Sequence, residues 1–181
     1  KEFILSKFAV VVVLALASTV FVFIMSLLLG HSFSSYTEFS IVFSDLEYLL
    51  AFFVKLTAFF SFCLFLGILV KRSAFALGFL FIWFIAENIF YWIIKFVILG
   101  GDDKHKNFGD TIIQFFPMES MGNLIKEPFT RLSAIKTIET TIGGAKVAKD
   151  YSVHFSEISI ALLWAFIFIL TSYYILKKRD L

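Results

Sequence analysis

A chain of 181 residues that is 60% hydrophobic and only 17% charged lacks the composition of a water-soluble domain, in which about a quarter of residues are charged. Its net charge of +2 is too nearly balanced to argue for nucleic-acid binding. The single cysteine, Cys63, excludes an intrachain disulfide and a cysteine metal cluster, and inside an apolar block it reads as a small packing residue.

The apolar residues come in blocks long enough to cross a hydrocarbon core, which takes about 20 residues of helix. Four blocks reach that length. The first covers about 8–29 and is expected to end at Gly30, a usual residue just past a helix terminus. It lacks the small-residue cleavage pattern of a signal peptide and is read as a span. The second covers about 46–70 and opens on Ser44-Asp45-Leu46-Glu47, where Ser44 and Glu47 have the spacing of a capping box. The third covers about 73–99 and stops at Gly100-Gly101. The fourth covers about 156–176, with Ser156 as the expected N-cap.

Between the third and fourth spans lies a segment of about 102–155 that is not uniformly polar. Gln114-Phe115-Phe116-Pro117-Met118 is too apolar for a solvated loop and too short to span, so it predicts an interfacial or re-entrant helix entered at Pro117. A second short helix is expected from Pro128 to Ile142, with Leu132, Ile135, Ile138 and Ile142 at helical spacing and Gly143 as its C-terminal cap. It reads as an amphipathic helix lying on the outer leaflet or on the spans, or as a lid over the outer mouth of a pathway. The fold class expected is thus an all-α integral membrane protein, one transmembrane domain over 1–181 with four visible spans and short external helices.

Orientation follows from the cations. Lys1 and Lys7 precede the first span, Lys71 and Arg72 join the second and third, and Lys177, Lys178 and Arg179 follow the fourth, whereas 31–45 contains no Lys or Arg. The positive-inside rule then makes both ends of this chain cytoplasmic and places 102–155 outside.

Several kinds of chemistry find no support. Gly143-Gly144-Ala145-Lys146 lacks the spacing and the following Ser or Thr of a phosphate loop. His31, His105 and His154 are far apart and show no metal-ligand pairing. Neither a nucleophile elbow nor a paired-carboxylate site is present in the sequence.

Three polar residues inside the spans stand out: Lys55, Glu87 and Asn88. An ionised group at mid-span costs roughly 2.5–3.5 kcal/mol, so each needs a partner or water. Lys55 and Glu87 are each 16 positions from Lys71, the centre of the hairpin turn, and so lie at equal depth, roughly 24 Å along their helices. An ion pair between them is geometrically available if the helices are suitably rotated. Two readings stand: a structural set that fixes helix packing, or a set in which Glu87 and Asn88 line a translocation path or proton route. Lys95 is near enough to the outer interface to snorkel.

Four stretches carry a family resemblance. Lys1-Glu2-Phe3-Ile4-Leu5-Ser6-Lys7, leading directly into an apolar span, resembles the stretch after the coupling helix in permease subunits of ABC-2-type transporters. Gly67-Ile68-Leu69-Val70-Lys71-Arg72-Ser73-Ala74 resembles their short cytoplasmic turn, and Phe116-Pro117-Met118-Glu119-Ser120-Met121, followed by Pro128, is similar to their external re-entrant region. The ending Tyr173-Tyr174-Ile175-Leu176-Lys177-Lys178-Arg179-Asp180-Leu181 looks like their cytoplasmic tail. Family members have six spans, so the resemblance implies that the first two, with most of the coupling helix, lie upstream of Lys1. It also implies a permease in the bacterial cytoplasmic (inner) membrane that pairs with a second permease copy, as a homo- or heterodimer. Two ATP-binding subunits would hold the ATP and Mg, leaving this chain without a cofactor or ATPase site of its own, and the substrate would move outward by alternating access. A membrane scaffold or assembly protein is the alternative reading, and an intramembrane enzyme ranks third.

The cation placement yields a direct expectation. In a Cys63→Ser background, a cysteine at position 105 reacts with an impermeant label from outside and one at position 178 does not; the reverse pattern overturns the topology.

Overall fold

The computed structural model of the chain describes residues 2–33, 46–71, 73–94, 112–125 and 152–179. Within them lie five helices: α1 (Glu2–Phe33), α2 (Leu46–Val70), α3 (Ser73–Ile93), α4 (Pro117–Asn123) and α5 (Phe155–Arg179). All but the short α4 are long and apolar enough to cross a membrane. Helix is what such a sequence must form there, since hydrocarbon offers no partner for backbone amides and a helix bonds its own.

The boundaries mostly match the hydropathy blocks, with instructive departures. α1 does not stop at Gly30 but continues to Phe33. At 32 residues it is about 48 Å long, more than the about 30 Å core requires, so its last turns extend beyond the hydrocarbon, where nothing forces a break. Ser156 is not an N-cap either. α5 begins one residue earlier, at Phe155, and the His154 carbonyl accepts the first helical bonds from the Glu157 and Ile158 amides. α2 occupies the expected 46–70. α3 starts at Ser73 as expected, whereas Ser44, Lys95, Gly100-Gly101, His105 and the expected helix from Pro128 to Ile142 lie outside the described residues.

α2 and α3 form an antiparallel hairpin. Lys71 ends α2 in the left-handed conformation, with φ 62°, and its amide donates to the Gly67 carbonyl at 3.1 Å. This is the one-bond αL ending that usually selects glycine. Lysine occupies it here at a cost of about 1–2 kcal/mol, and its cation sits at a helix C-terminus, where the dipole favours positive charge.

α2 is the centre of the bundle and packs against each of the other four helices. Its main seam is with α5. Ala51, Val54, Ala58, Phe62 and Leu66 of α2 are buried with Ala161, Ala165 and Phe168 of α5. Each set recurs at three- and four-residue intervals, so one stripe per helix is matched to the other. Half of these residues are alanines, which fits a seam in lipid, where the hydrophobic effect supplies no attraction between helices and close backbone approach must supply dispersion instead. Ser61 and Ser172, buried in α2 and α5, bond the carbonyls of Thr57 and Phe168 within their own helices, so their hydroxyls need no water. α1 and α3 lie outside this seam and keep most of their large apolar side chains exposed, among them Val13, Phe21, Phe81 and Phe90.

The seam predicts a contrast between two substitutions on α5. Ala165→Leu, at a position 4% exposed, should lower stability by about 1–3 kcal/mol in thermal or denaturant unfolding of the lipid- or detergent-embedded protein. Leu163→Ala, at a position 57% exposed, should change it by no more than about 0.5 kcal/mol. Equal effects would mean that α2 and α5 are not held by close approach.

Candidate functional site

The segment predicted as interfacial or re-entrant forms a turn at 112–116 followed by α4. Phe116 is the N-cap residue, with extended backbone (φ −70°, ψ 140°), and Pro117 occupies the first turn, where its fixed φ suits helix initiation. Phe116 offers no side-chain cap. The amides at the start of α4 therefore need partners from elsewhere, and each can be accounted for. The Phe116 amide donates to the Ile113 carbonyl at 3.0 Å, Pro117 has no N–H, and the Ser120 amide makes the first intrahelical bond, to the Phe116 carbonyl, at 2.7 Å. The Met118 amide donates to both carboxylate oxygens of Glu87 on α3, at 3.0 and 3.2 Å, and the Glu119 amide lies within reach of the same carboxylate.

Glu87 thus caps α4 from another helix. The indole Nε1–H of Trp83, one turn earlier on α3, also donates to Glu87 and fixes its rotamer. On the other side of the turn, the indole Nε1–H of Trp164 on α5 donates to the Phe115 carbonyl at 2.8 Å. Two side chains from two spans therefore hold the backbone on either side of Phe116. The two indoles belong to one aromatic cluster. Phe62 of α2 contacts Trp83 edge-on with centroids 5.7 Å apart and meets Phe168 of α5 at 4.8 Å, and Trp164 stacks on Phe168 at 5.5 Å. Below the turn, Met121 and Leu124 are buried in the α2–α5 core.

Depth decides between interfacial and re-entrant. Glu87 lies 14 residues beyond Ser73, about 21 Å along α3, and Trp164 lies 9 residues after Phe155, about 14 Å into α5. In a core about 30 Å thick with its faces at Ser73 and Phe155, the two counts place the turn at 115–118 roughly 9–14 Å below the face opposite the Lys71 turn. On that count the segment fits the re-entrant reading rather than the interfacial one. A broken backbone at that depth is tolerated only where protein satisfies it, which is what Glu87 and Trp164 do.

The three polar residues singled out from the sequence are not brought together. Glu87 does not form the expected ion pair with Lys55: among the described residues its carboxylate meets Trp83 and the start of α4, and no ion pair joins it to Lys55. The two match in depth, but Glu87 is turned to the free amides of a helix N-terminus, where a negative charge is favoured. Lys55 is half-buried on α2. Asn88 is exposed on α3 and its Nδ2 donates to the Phe84 carbonyl of its own helix at 2.9 Å. Trp83 and Trp164 were not among the residues singled out. The four-residue interval from Trp83 to Glu87 was a usable signal, because it puts both side chains on one helix face. No signal links Trp164 to Phe115, 49 residues away. Among the described residues no group of three or more His, Cys, Asp or Glu could hold a metal ion.

A family profile described as ABC-2 family transporter protein matches residues 4–181 of the chain. Neither the curated proteins nor the solved structures give a match.

The geometry sets an expectation for coupling energies. Stability losses from Glu87→Gln and Lys55→Met should add to within about 0.5 kcal/mol, because the side chains do not meet. Glu87→Gln combined with Trp83→Phe should instead show a coupling of about 0.5–3 kcal/mol. Strong Lys55–Glu87 coupling in a double-mutant cycle would contradict the capping role.

Proposed function

The chain belongs to the ABC-2 transporter family and is a multi-pass membrane permease component of an ABC transporter, and from that premise we propose that it forms the substrate pathway of an ATP-driven exporter. The observation that carries this reading is the family match over nearly the whole chain, joined to four membrane-crossing helices. The sequence has no phosphate loop, so ATP and its Mg are assigned to separate ATP-binding subunits that drive alternating access.

A second permease copy completes the pathway in this reading. α1 and α3 leave broad apolar faces uncovered within the chain. Lipid suits most of such a surface, and a partner permease would take part of it. Both ends of the chain are proposed to lie in the cytoplasm of a bacterial cell, with the Lys71 turn on the same side and α4 opening toward the exterior. Lys55 on α2 and Asn88 on α3 are the polar side chains proposed to face the pathway, since neither has a role in the described packing that an apolar residue could not fill. Glu87 is proposed to act at its outer end, through α4.

The test is reconstitution of the full-length protein with the ATPase encoded beside it. The expected result is a stable complex whose ATP hydrolysis depends on both components, with no ATP binding by the permease alone. ATP binding by the isolated permease, or failure to assemble with any ATP-binding subunit, would shift the reading to a membrane scaffold.

A further inference from the structure

α4 is held differently at its two ends. At its N-terminal end, where Ile113 and Pro117 are buried and Met118 packs on the core, polar clamps from outside the segment add to that packing: the Met118 amide is held by Glu87 of α3, itself held by Trp83, and the Phe115 carbonyl by Trp164 of α5. At its C-terminal end the contacts are apolar, with Met121 and Leu124 only 3% and 1% exposed in the α2–α5 core. Between those buried residues Gly122 has nothing within 4 Å of where a Cβ would lie, so the backbone there is not wedged.

Polar clamps and apolar packing respond differently to motion in a bilayer. A hydrogen bond is lost within about an ångström of displacement and its groups then need new partners. Apolar packing tolerates a small rotation, because its contacts are many and individually weak. The two clamps also come from different spans. Both spans pack on α2, and the rings of Phe62 and Phe168 link Trp83 to Trp164, so a shift of α3 against α5 strains both at once.

We propose that the re-entrant segment is a hinged unit, latched at its N-terminal end by Glu87 and Trp164 and pivoting about Met121 and Leu124, with Trp83 as the positioning residue of the latch. Separation of α3 from α5 releases the latch, and the turn at 115–118 swings away while the α2–α5 seam stays closed. Release then gives water a path to the amides of Met118 and Glu119 and to the buried Ser120. The use of that motion in transport rests on the permease reading above; the motion itself does not.

The test therefore needs neither ATPase nor substrate. Full-length protein in lipid nanodiscs, in a Cys63→Ser background, carries a reporter at Ser120→Cys, a position 2% exposed, or a control at Ser61→Cys, fully buried in the α2 seam. Reaction with a water-soluble maleimide and amide hydrogen exchange are measured before and after removal of the clamps by Glu87→Leu and Trp164→Phe. The phenylalanine keeps a ring on Phe168 and loses only the donor. The expected result is labelling at position 120 and exchange at 115–119 faster by about ten-fold or more, with the control and the exchange of α2 and α5 unchanged. Glu87→Gln, which keeps an acceptor oxygen, should give a smaller rise than Glu87→Leu. Unchanged rates at position 120 would show that packing alone holds the segment and would overturn the latch. Loss of protection throughout α2 and α5 would overturn it as well, because the clamps would then be staples of the whole bundle.

Discussion

A helix that begins inside hydrocarbon exposes amides that neither water nor its own backbone can satisfy. The arrangement around α4 follows from that constraint. Proline removes one of the donors, the Ile113 carbonyl takes another, and Glu87 receives the Met118 amide with that of Glu119 within its reach. An ionisable side chain in the middle of a span is costly when isolated. Here that carboxylate and the unpaired helix start satisfy each other, and neither would be tolerated alone at this depth.

The cap works only if α3 stays in register with α5, and the aromatic cluster provides the link. Trp83 and Trp164 each use the indole N–H on the re-entrant backbone or its cap and pack the ring against Phe62 or Phe168. Tryptophan suits this place because it combines a broad apolar surface with a single donor, leaving no further polar atom to satisfy. The cluster rests in turn on the α2–α5 seam, where Ala58, Ala161 and Ala165 let the backbones approach closely enough for Phe62 and Phe168 to meet. Small residues, aromatic pairs and the polar clamps thus form one connected support. α1 and α3 carry the lipid-facing surface around it.

Much of this architecture was legible in the residues. The four spans, the tight α2–α3 turn at Lys71 and the short apolar segment broken at Pro117 could all be read, because each depends on local composition: a stretch either is or is not long and apolar enough to cross. The departures at Gly30 and Ser156 are of the same local kind. A glycine or a serine marks a place where a helix can change, and only the surroundings decide whether it does.

The partner of Glu87 was not legible. Equal depth suggested Lys55, since position along a helix follows from counting residues at a fixed rise. Rotation about the helix axis is another matter. In water an apolar stripe reveals which face turns inward, but in lipid the apolar residues that make up most of α3 can face either way and leave that angle undetermined. Nor could the sequence indicate that α4 would return to the level of Glu87, or that Trp164 would meet a carbonyl 49 residues away. By itself the sequence determined which segments lie in the membrane and the order in which they cross it. The tertiary structure alone decided which side chains meet around α4, because in lipid that choice is made by the demand of buried backbone groups for partners, which leaves no period in the sequence.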